Sequence, residues 1–365
     1  MHGERFRYRE GSGVARMVRF LARPAPLASA CCLMLIALMA AHPSASLGAS
    51  LRGVAVWWDV LFPALFPFFV MAELMLGFGV VHFFGTLLDP LMRPVFRLPG
   101  VAGFAVTMGL VSGYPVGARL AARLREQEQI SRTEGERLVA FVTTSDPIFL
   151  IGAVSVGFFH QPALAPLLAA AHYGGALVIG LIFRRYRRRE PITRAARTAG
   201  VRLLPAALAA MHRARSEDGR PPGRLLQDAI GSALRLNIVV GGLVVFFSVV
   251  MELLARANIL GLLDAVLQPL LRGAGLPAPL SSAFVSGLFE VTLGAKAAAE
   301  SGAPLLYRAA AAAWVLSWAG LSVHAQIASI IGKTDIRYAP FLAARAAHGV
   351  ISAALVFALW GWLGP

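Results

Sequence analysis

Polar residues interrupt the apolar stretches of this 365-residue chain at corresponding places in its two halves. Side chains with hydroxyl, carboxylate, amide, ammonium or imidazole groups could hold a polar solute, a proton or a cation there. The candidates in the first half are Ser112, Gly113, Tyr114, Gly117, Thr144, Ser145 and Asp146. The candidates in the second half are Gly287, Glu290, Lys296, Ser322, His324 and Gln326. We predict that these residues bind a substrate.

The composition indicates which class of protein must position these residues. Hydrophobic residues make up 57% of the chain, charged residues 15%, and the mean hydropathy is +0.67. These values exceed the apolar share of a soluble domain, so the sequence predicts an all-α polytopic membrane protein. The continuous apolar windows long enough to cross about 30 Å of hydrocarbon are 27–47, 54–81, 138–159, 162–183, 229–254, 307–331 and 339–363.

Two further apolar stretches, 100–118 and 278–297, contain glycine, proline or charged residues. Breaking a membrane helix is costly, because the freed N–H and C=O groups find no water in hydrocarbon. Discontinuous helices at matching positions of two repeats indicate a transporter's substrate site. We therefore predict two re-entrant hairpins with breaks at Ser112-Gly113 and Ser286-Gly287. Both breaks should share one cavity with the polar centres of the spans that follow them.

Each ionisable candidate has two interpretations at this stage. Lys296 would balance the charge of a small anion, or it would extend its ammonium group to the membrane surface. Asp146 would bind a proton, a cation or the substrate through water, or it would cap a broken helix. Glu290 would contact the substrate or pair with Lys296. His324 and Gln326 would relay a proton or form a hydrogen bond to a neighbouring helix.

The net charge of +15 comes largely from arginines in the N-terminal tail and between Arg184 and Arg224. Basic loops that flank apolar spans are typical of cytoplasmic ends, and no basic fold with interleaved aromatic residues predicts nucleic-acid binding.

The two cysteines, Cys31 and Cys32, are adjacent and lack metal-ligand spacing. No nucleophile and base are spaced as in an enzyme motif. We therefore expect no catalysis, no metal and no cofactor.

An internal repeat divides the chain. At one constant offset, Glu73, Pro90, Leu91 and Arg93 match Glu252, Pro269, Leu270 and Arg272. If the arginine-rich loops lie on one side, 100–118 must turn back, and the two repeats are inverted.

The first apolar run is either a retained helix, which we favour, or a cleaved signal peptide. The predicted segments are a basic tail with a first helix (1–50), two repeats (51–183 and 229–365) and a mobile arginine-rich cytoplasmic linker (184–228).

Several sequence strings resemble a known family: GYPVGA at 113–118, EGERL at 134–138, GLFEVTLG at 287–294, GLSVHAQ at 320–326 and KTDIRY at 333–338. From about residue 50 onward the chain resembles the YlbJ family of sporulation integral membrane proteins. The resemblance implies two nucleoside-recognition (Gate) domains, a fold unit shared with concentrative nucleoside transporters. It also implies an endospore-forming bacterium, and movement of dipicolinic acid across the mother-cell-derived outer forespore membrane.

Dipicolinate is a small aromatic dianion, so its site needs cations or N–H dipoles together with an apolar slot for the ring. Lys296 and Arg119 follow the two predicted breaks and are the candidate cations. Two alternatives remain: transport of a nucleoside-like solute, and a structural or recruiting role in spore maturation through the linker 184–228. The expected partners besides the substrate are the lipid bilayer and either a second copy of the chain or other sporulation membrane proteins.

Overall fold

The computed structural model describes residues 24–193 and 203–365. Every regular element within these ranges is helical, so the predicted all-α class is confirmed. The segments long and apolar enough to cross a membrane are Pro43–Gly77, Pro162–Phe183, Pro222–Arg256, Leu305–Ile331 and Tyr338–Leu363. The protein is a multi-pass integral membrane protein.

The helices occur in the same order in the two halves. After α1 (Pro24–Ala41), the first repeat contains α2 (Pro43–Gly77), α3 (Val80–Leu91), α4 (Ala102–Ser112), α5 (Tyr114–Glu126), α6 (Arg132–Val142), the π-helical α7 (Phe149–Phe158) and α8 (Pro162–Phe183). Helix α9 (Leu203–Asp218) leads to the second repeat, which contains α10 (Pro222–Arg256), α11 (Ile259–Gly273), α12 (Ser281–Phe289), α13 (Val291–Glu300), α14 (Leu305–Trp318), α15 (Gly320–Ile331) and α16 (Tyr338–Leu363).

The helix positions explain the duplication and its inversion. The first residues of α2 and α10 are separated by the same offset as Glu73 and Glu252, and so are those of α3 and α11. Helix α3 and the π-helical turn Met92–Phe96 that continues it have 12 and 5 residues, and they are not among the segments long and apolar enough to cross a membrane. Between the starts of α2 and α10 the chain therefore crosses with α2, with α6 and α7 as one broken span, and with α8. This odd number of crossings inverts the second repeat.

Both predicted re-entrant stretches turn back on themselves. A Cβ added to Gly109 would lie 3.3 Å from the Cα of Gly117, so the backbones of α4 and α5 cross closely. A Cβ added to Gly294 would lie 2.4 Å from the Cα of Gly287, so α12 and α13 cross in the same way. Glycine at these crossings permits an approach that a side chain would prevent.

The tip of the second hairpin lies at Glu290 and not at the predicted Ser286-Gly287 break. Gly287 is inside α12, where it packs against Val315. Glu290 has an extended backbone (φ −145°, ψ 129°), and its carboxylate accepts the N–H of Leu293 at 2.8 Å. A carboxylate cap satisfies a free N–H at the start of α13, so this acidic residue ends one arm and begins the next.

Two spans predicted as continuous, 138–159 and 307–331, are broken. In the first, residues 143–146 leave the helix before Pro147, which lacks an N–H and so cannot continue the hydrogen-bond ladder. In the second, Ala319 and Gly320 have φ values of 76° and 75°, which turn the chain between α14 and α15. Hydropathy windows missed both breaks, because short polar or small-residue centres are averaged with their apolar flanks.

Other predicted boundaries also change. The window 27–47 contains a break at His42 (φ −131°, ψ 59°), after which Pro43 begins α2, well before residue 54. Helix α10 begins at Pro222 and not at 229. The linker 184–228 is not a loop throughout, because it contains α9, which packs against α3. The basic tail up to residue 23 and the linker residues 194–202 lie outside the described residues.

The two repeats share their apolar cores. One buried cluster contains Leu61 and Leu150 of the first repeat with Leu316 of the second. The other contains Phe141 of the first repeat with Phe341 of the second. Each repeat therefore supplies part of the surface that the other buries, and the two form one packed unit.

Two of the family-like strings form ion pairs between the repeats. The carboxylate of Glu136, in the EGERL string, is fully buried and pairs with Arg337 of the KTDIRY string at 2.7 Å. Arg125 forms a bidentate pair with Asp335, at 2.8 and 3.0 Å. Bidentate arginine–carboxylate pairs fix orientation as well as distance. These strings therefore hold the ends of the helices together. They lie outside the two hairpin tips and the two breaks in the spans, which are the four interruptions of the apolar helices.

The inverted topology predicts the sidedness of labelling. In a Cys31→Ala/Cys32→Ala background, Glu128→Cys and Arg213→Cys should react with an impermeant maleimide from the same side of the membrane, because both exposed positions lie on the arginine-rich side. Glu300→Cys, at the outer end of the second hairpin, should react from the opposite side alone. Labelling of positions 128 and 213 from opposite sides would contradict the re-entrant topology.

Candidate functional site

The interruptions of the apolar helices lie against one another in pairs. Gly113, with φ of 81°, forms the first hairpin tip, and a Cβ there would lie 3.1 Å from Oδ2 of Asp146 in the break between α6 and α7. A Cβ at Gly320 would lie 3.0 Å from the Cα of Glu290, so the second tip contacts the break between α14 and α15. Each hairpin tip thus contacts the broken span of its own repeat.

A further hydrogen bond joins the two pairs across the repeats. The hydroxyl of Tyr114, beside the first tip, donates to the carbonyl oxygen of Leu316 at 2.7 Å. Leu316 lies in the last turn of α14, just before the fourth break. The four interruptions therefore form one connected group.

A cavity of about 110 Å³ lies at this meeting point. Residues at the two hairpin tips, at the break between α6 and α7, and on α15 after the fourth break line it: Ser112, Gly113, Tyr114, Pro115, Asp146, Glu290, Val291, Thr292, Ser322, Val323 and Gln326. The rest of the wall comes from α2, α7 and α10: Leu65, Phe69, Phe149, Leu236, Val239, Val240 and Leu243. A few polar groups in a mainly apolar chamber are typical of small-molecule sites.

Two carboxylates in the cavity wall cap half-helices. Asp146 Oδ1 accepts the N–H groups of Ile148 at 3.1 Å and Phe149 at 2.8 Å. Glu290 has the corresponding role for α13 through the N–H of Leu293. The capping interpretation of Asp146 is therefore correct, and both acids also face the cavity. Among the described residues that line the cavity, none is lysine, arginine or histidine.

Arg345 lies outside the cavity wall, among the ends of the broken helices. Its side chain is fully buried and donates to the carbonyl oxygens of Ala140 at 2.6 Å and Thr143 at 2.5 Å, at the end of α6. It also donates to Ser317, at the end of α14, at 3.3 Å. No carboxylate pairs with it in the described part of the chain. The negative ends of two helix dipoles therefore supply its counter-charge.

A buried histidine cluster joins the same two breaks. His172 Nε2 accepts the N–H of Ser145 at 3.0 Å, and its Nδ1 lies 2.9 Å from the Ser317 hydroxyl oxygen. Because Nε2 is the acceptor, this geometry assigns the imidazole proton to Nδ1. Ser317 then donates to Ser352 at 2.8 Å, and His348 Nε2 lies 2.8 Å from the carbonyl oxygen of His172. The cluster holds the break between α6 and α7 in register with the end of α14.

The structure brings some of the predicted substrate-binding residues to the cavity and not others. Those in its wall are Ser112, Gly113, Tyr114, Asp146, Glu290, Ser322 and Gln326. Those outside it are Gly117, Thr144, Ser145, Gly287, Lys296 and His324. Position near a break does not by itself decide this, since Thr144 and Ser145 lie in the same break as Asp146 but contact neighbouring helices.

Lys296 and His324 have other partners. Lys296 pairs with Glu300 one turn further along α13, so the alternative in which Glu290 pairs with Lys296 does not form. His324 Nδ1 lies 2.6 Å from the Tyr338 hydroxyl oxygen, and its Nε2 lies 3.0 Å from the carbonyl oxygen of Trp318. Both side chains therefore stabilise local helix geometry. Arg119 is exposed on α5 and is also outside the cavity wall.

The remaining four predicted residues pack the hairpins and breaks. Thr144 donates to the Gly109 carbonyl oxygen at 3.4 Å, and Ser145 binds the histidine cluster through its backbone. Gly117 faces the carbonyl oxygen of Val142, and Gly287 lies at the crossing of the second hairpin.

Comparisons with known proteins agree with this arrangement. The family model described as Gate, nucleoside recognition, matches residues 59–161 and 238–337, once in each repeat. The sporulation integral membrane protein YlbJ of Bacillus subtilis (strain 168) is 45% identical over 329 residues, which cover 90% of this chain and 81% of that protein. The chain belongs to the YlbJ family of sporulation integral membrane proteins. The resemblance of the sequence strings to this family is therefore confirmed.

The fold of this YlbJ-family chain is also found in a solved transporter. The structure of CNTnw in an inward-facing substrate-bound state has a TM-score of 0.52, with 13% sequence identity, over 85% of this chain and 76% of that one. At this identity the likeness concerns the fold. It confirms the predicted architecture of a concentrative nucleoside transporter.

Arg345, His172 and His348 were not among the site residues predicted from the sequence of this YlbJ-family member. A signal for them existed, because ionisable residues within apolar spans are functional or architectural by default. Arg345 and His348 lie three positions apart, on one face of α16, and His172 lies within α8. Searching each span for its ionisable residues would have found all three.

Proposed function

We propose that this protein transports a small carboxylate solute across a membrane of the sporulating cell, with dipicolinate as the candidate. The observation that supports the proposal is the convergence of four helix interruptions, two from each repeat, on one cavity. Helix interruptions at the interface of inverted repeats form the binding sites of secondary transporters. The name of the B. subtilis relative supports a role in sporulation, and the outer forespore membrane is the proposed location.

The charges around the cavity set a condition on this proposal. Asp146 and Glu290 face the cavity, and none of its described lining residues is cationic. Two like charges about 5 Å apart repel by about 3 kcal/mol at an effective dielectric constant of about 20. A dianion beside two ionised carboxylates would therefore bind poorly. We propose that dipicolinate enters with protons or cations that neutralise these carboxylates.

The apolar wall suits an aromatic ring. Phe69 and Phe149 lie in the wall with Tyr114, and the Gln326 amide and Ser322 hydroxyl offer donors to a carboxylate. These groups can hold a planar aromatic acid once the wall carboxylates are neutralised.

Uptake of labelled dipicolinate into proteoliposomes tests the function. We expect uptake above that of protein-free liposomes, and stimulation by an inward proton or sodium gradient. Unlabelled dipicolinate should compete more strongly than uridine. Uptake equal to that of protein-free liposomes under every gradient would contradict transport of dipicolinate and favour the structural or recruiting role.

Neutral substitution of the wall carboxylates tests the coupling. Asp146→Asn and Glu290→Gln keep one capping oxygen each and remove the ionisable group. We expect uptake by either variant to lose at least about tenfold of its gradient stimulation, since the neutralising proton or cation no longer has its site. Lys296→Ala is the matched control, because this residue pairs with Glu300 outside the cavity wall. Unchanged gradient stimulation in both carboxylate variants would contradict the coupling.

A neutral, hydroxyl-bearing solute such as a nucleoside is the second candidate. The acidic wall without cations favours it, because Asp146 and Glu290 can accept hydrogen bonds from hydroxyl groups. Uridine competing more strongly than dipicolinate in the same assay would support this candidate.

A further inference from the structure

A second concave site lies at the end of α8, outside the wall of the solute cavity. Four arginines line a pocket of about 190 Å³: Arg97, Arg184, Arg185 and Arg188. Arg97 follows the π-helical turn Met92–Phe96, whereas the other three follow the end of α8. Two separate segments thus place four positive charges around one space.

Hydrogen bonds hold these two segments together. Arg97 donates to the carbonyl oxygen of Arg188 at 2.9 Å. The buried Arg137 donates to the carbonyl oxygens of Arg97 and Arg187, both at 3.1 Å, and to that of Tyr186 at 2.7 Å. The pocket is therefore a fixed feature of the fold, because its walls share a common buried donor.

The positive charge of the pocket is not neutralised within the described residues. None of its four arginines takes part in an ion pair there, and Nε of Arg97 is buried without a hydrogen-bond partner. The nearby acids are engaged elsewhere: Glu190 with Arg187 and Thr133, and Glu136 with Arg337 and Tyr186. The neighbouring residues 194–202 add three arginines and no acid to the sequence. The pocket therefore carries positive charge that can attract an external anion.

The adjoining surface indicates which anion it is. The last turns of α8 expose the large apolar side chains Leu177, Val178, Leu181 and Ile182. Because helix neighbours lie three and four residues apart, Leu177 and Leu181 form a stripe that leads to Arg184 and Arg185. An apolar stripe that ends in arginines matches acyl chains below a charged headgroup. An acidic phospholipid uses both features, whereas a free phosphate uses the arginines alone.

We propose that this pocket binds the phosphate of an acidic phospholipid, whose acyl chains lie along α8. The guanidinium groups hold the phosphate through charge-assisted hydrogen bonds. The site is independent of the solute cavity and does not require the proposed transport function. It makes the protein selective for anionic lipid in the leaflet that meets the arginine-rich side.

Native mass spectrometry of the purified full-length protein tests this proposal. The probes are phosphatidylglycerol, phosphatidylcholine with the same acyl chains, and inorganic phosphate as a competitor. We expect one phosphatidylglycerol molecule to remain bound at lipid concentrations where phosphatidylcholine does not. Arg185→Gln/Arg188→Gln should weaken this binding by about thirtyfold, since each surface arginine contributes about a factor of five.

The control variant is Arg123→Gln/Arg213→Gln, which removes the same charge from exposed arginines outside the pocket. It should bind phosphatidylglycerol like the unaltered protein. Equal retention of the two lipids, or equal loss in both double variants, would overturn the site. Displacement of the lipid by inorganic phosphate at a similar concentration would show a site for free phosphate and would overturn the proposed lipid.

Discussion

Arg345→Met should destabilise the protein by about 3 to 5 kcal/mol, because the carbonyl oxygens of Ala140, Thr143 and Ser317 lose their charged donor. Methionine fills similar space, so the loss concerns hydrogen bonding more than packing. A change of this size lowers the unfolding midpoint by on the order of 5 to 10 °C. Thermal unfolding in detergent, followed by tryptophan fluorescence, measures it.

A lysine at position 345 separates charge from geometry. Arg345→Lys keeps the cation facing the ends of α6 and α14, but one ammonium group cannot reach carbonyl oxygens on both helices as the guanidinium does. We expect an intermediate unfolding midpoint. Arg272→Met, at an exposed residue of α11, is the control and should unfold like the unaltered protein. A midpoint of Arg345→Met within about 2 °C of that control would show that the buried arginine does not hold the breaks together.

The sequence predicted the hairpins because their signals are local. Gly113-Tyr114-Pro115 combines a residue that adopts positive φ with one that cannot continue a helix. The repeat was also predictable, since the offset between Glu73 and Glu252 is carried through two successive helices. These features depend on the types of adjacent residues and on the length of the apolar segments, and both can be read directly from the sequence.

The break before Asp146 could not be recognised from hydropathy. Apolar residues flank Thr143, Thr144 and Ser145 on both sides, so a window over 138–159 has the mean composition of a continuous membrane helix. Pro147 is the local cause of the break, but the groups that stabilise it are tertiary: Arg345 donates to the carbonyl oxygen of Thr143, and His172 accepts the N–H of Ser145. These unwound backbone groups have partners from distant segments, which the spacing of residues along the chain does not reveal.

Lys296 shows a second limit. Its position just after the hairpin tip suggested a cation beside the substrate, but the tip residue Glu290 faces the cavity and Lys296 lies on the arm behind it. Lys296 follows Glu290 by fewer than two helical turns. The direction in which each side chain points around the helix determines whether it faces the cavity or the neighbouring Glu300. The predicted segments therefore converge on one cavity, whereas the predicted cation lies outside its wall.

Gly117→Ala and Gly294→Ala should both impair uptake by at least about tenfold. A displacement of about 1 Å in a segment that binds the solute lowers the transport rate steeply. The added Cβ at Gly117 would lie 2.6 Å from the carbonyl oxygen of Val142, and that at Gly294 would lie 2.4 Å from the Cα of Gly287. Both contacts are with backbone, which cannot rotate away as a side chain does. Each hairpin must therefore open, and its tip must move relative to the cavity.

The comparison between the two variants tests whether the repeats share one site. Proteoliposome uptake at several solute concentrations separates affinity from maximal rate, and a shared site predicts that both variants change the same parameter. Gly242→Ala is the matched control, because a Cβ at this glycine of the membrane-spanning α10 meets no atom within 4 Å. If Gly117→Ala impaired uptake and Gly294→Ala did not, the two hairpins would act separately. If both variants impair the same step, the tips of the two hairpins act on one bound solute. The inverted repeat places that solute between the two tips.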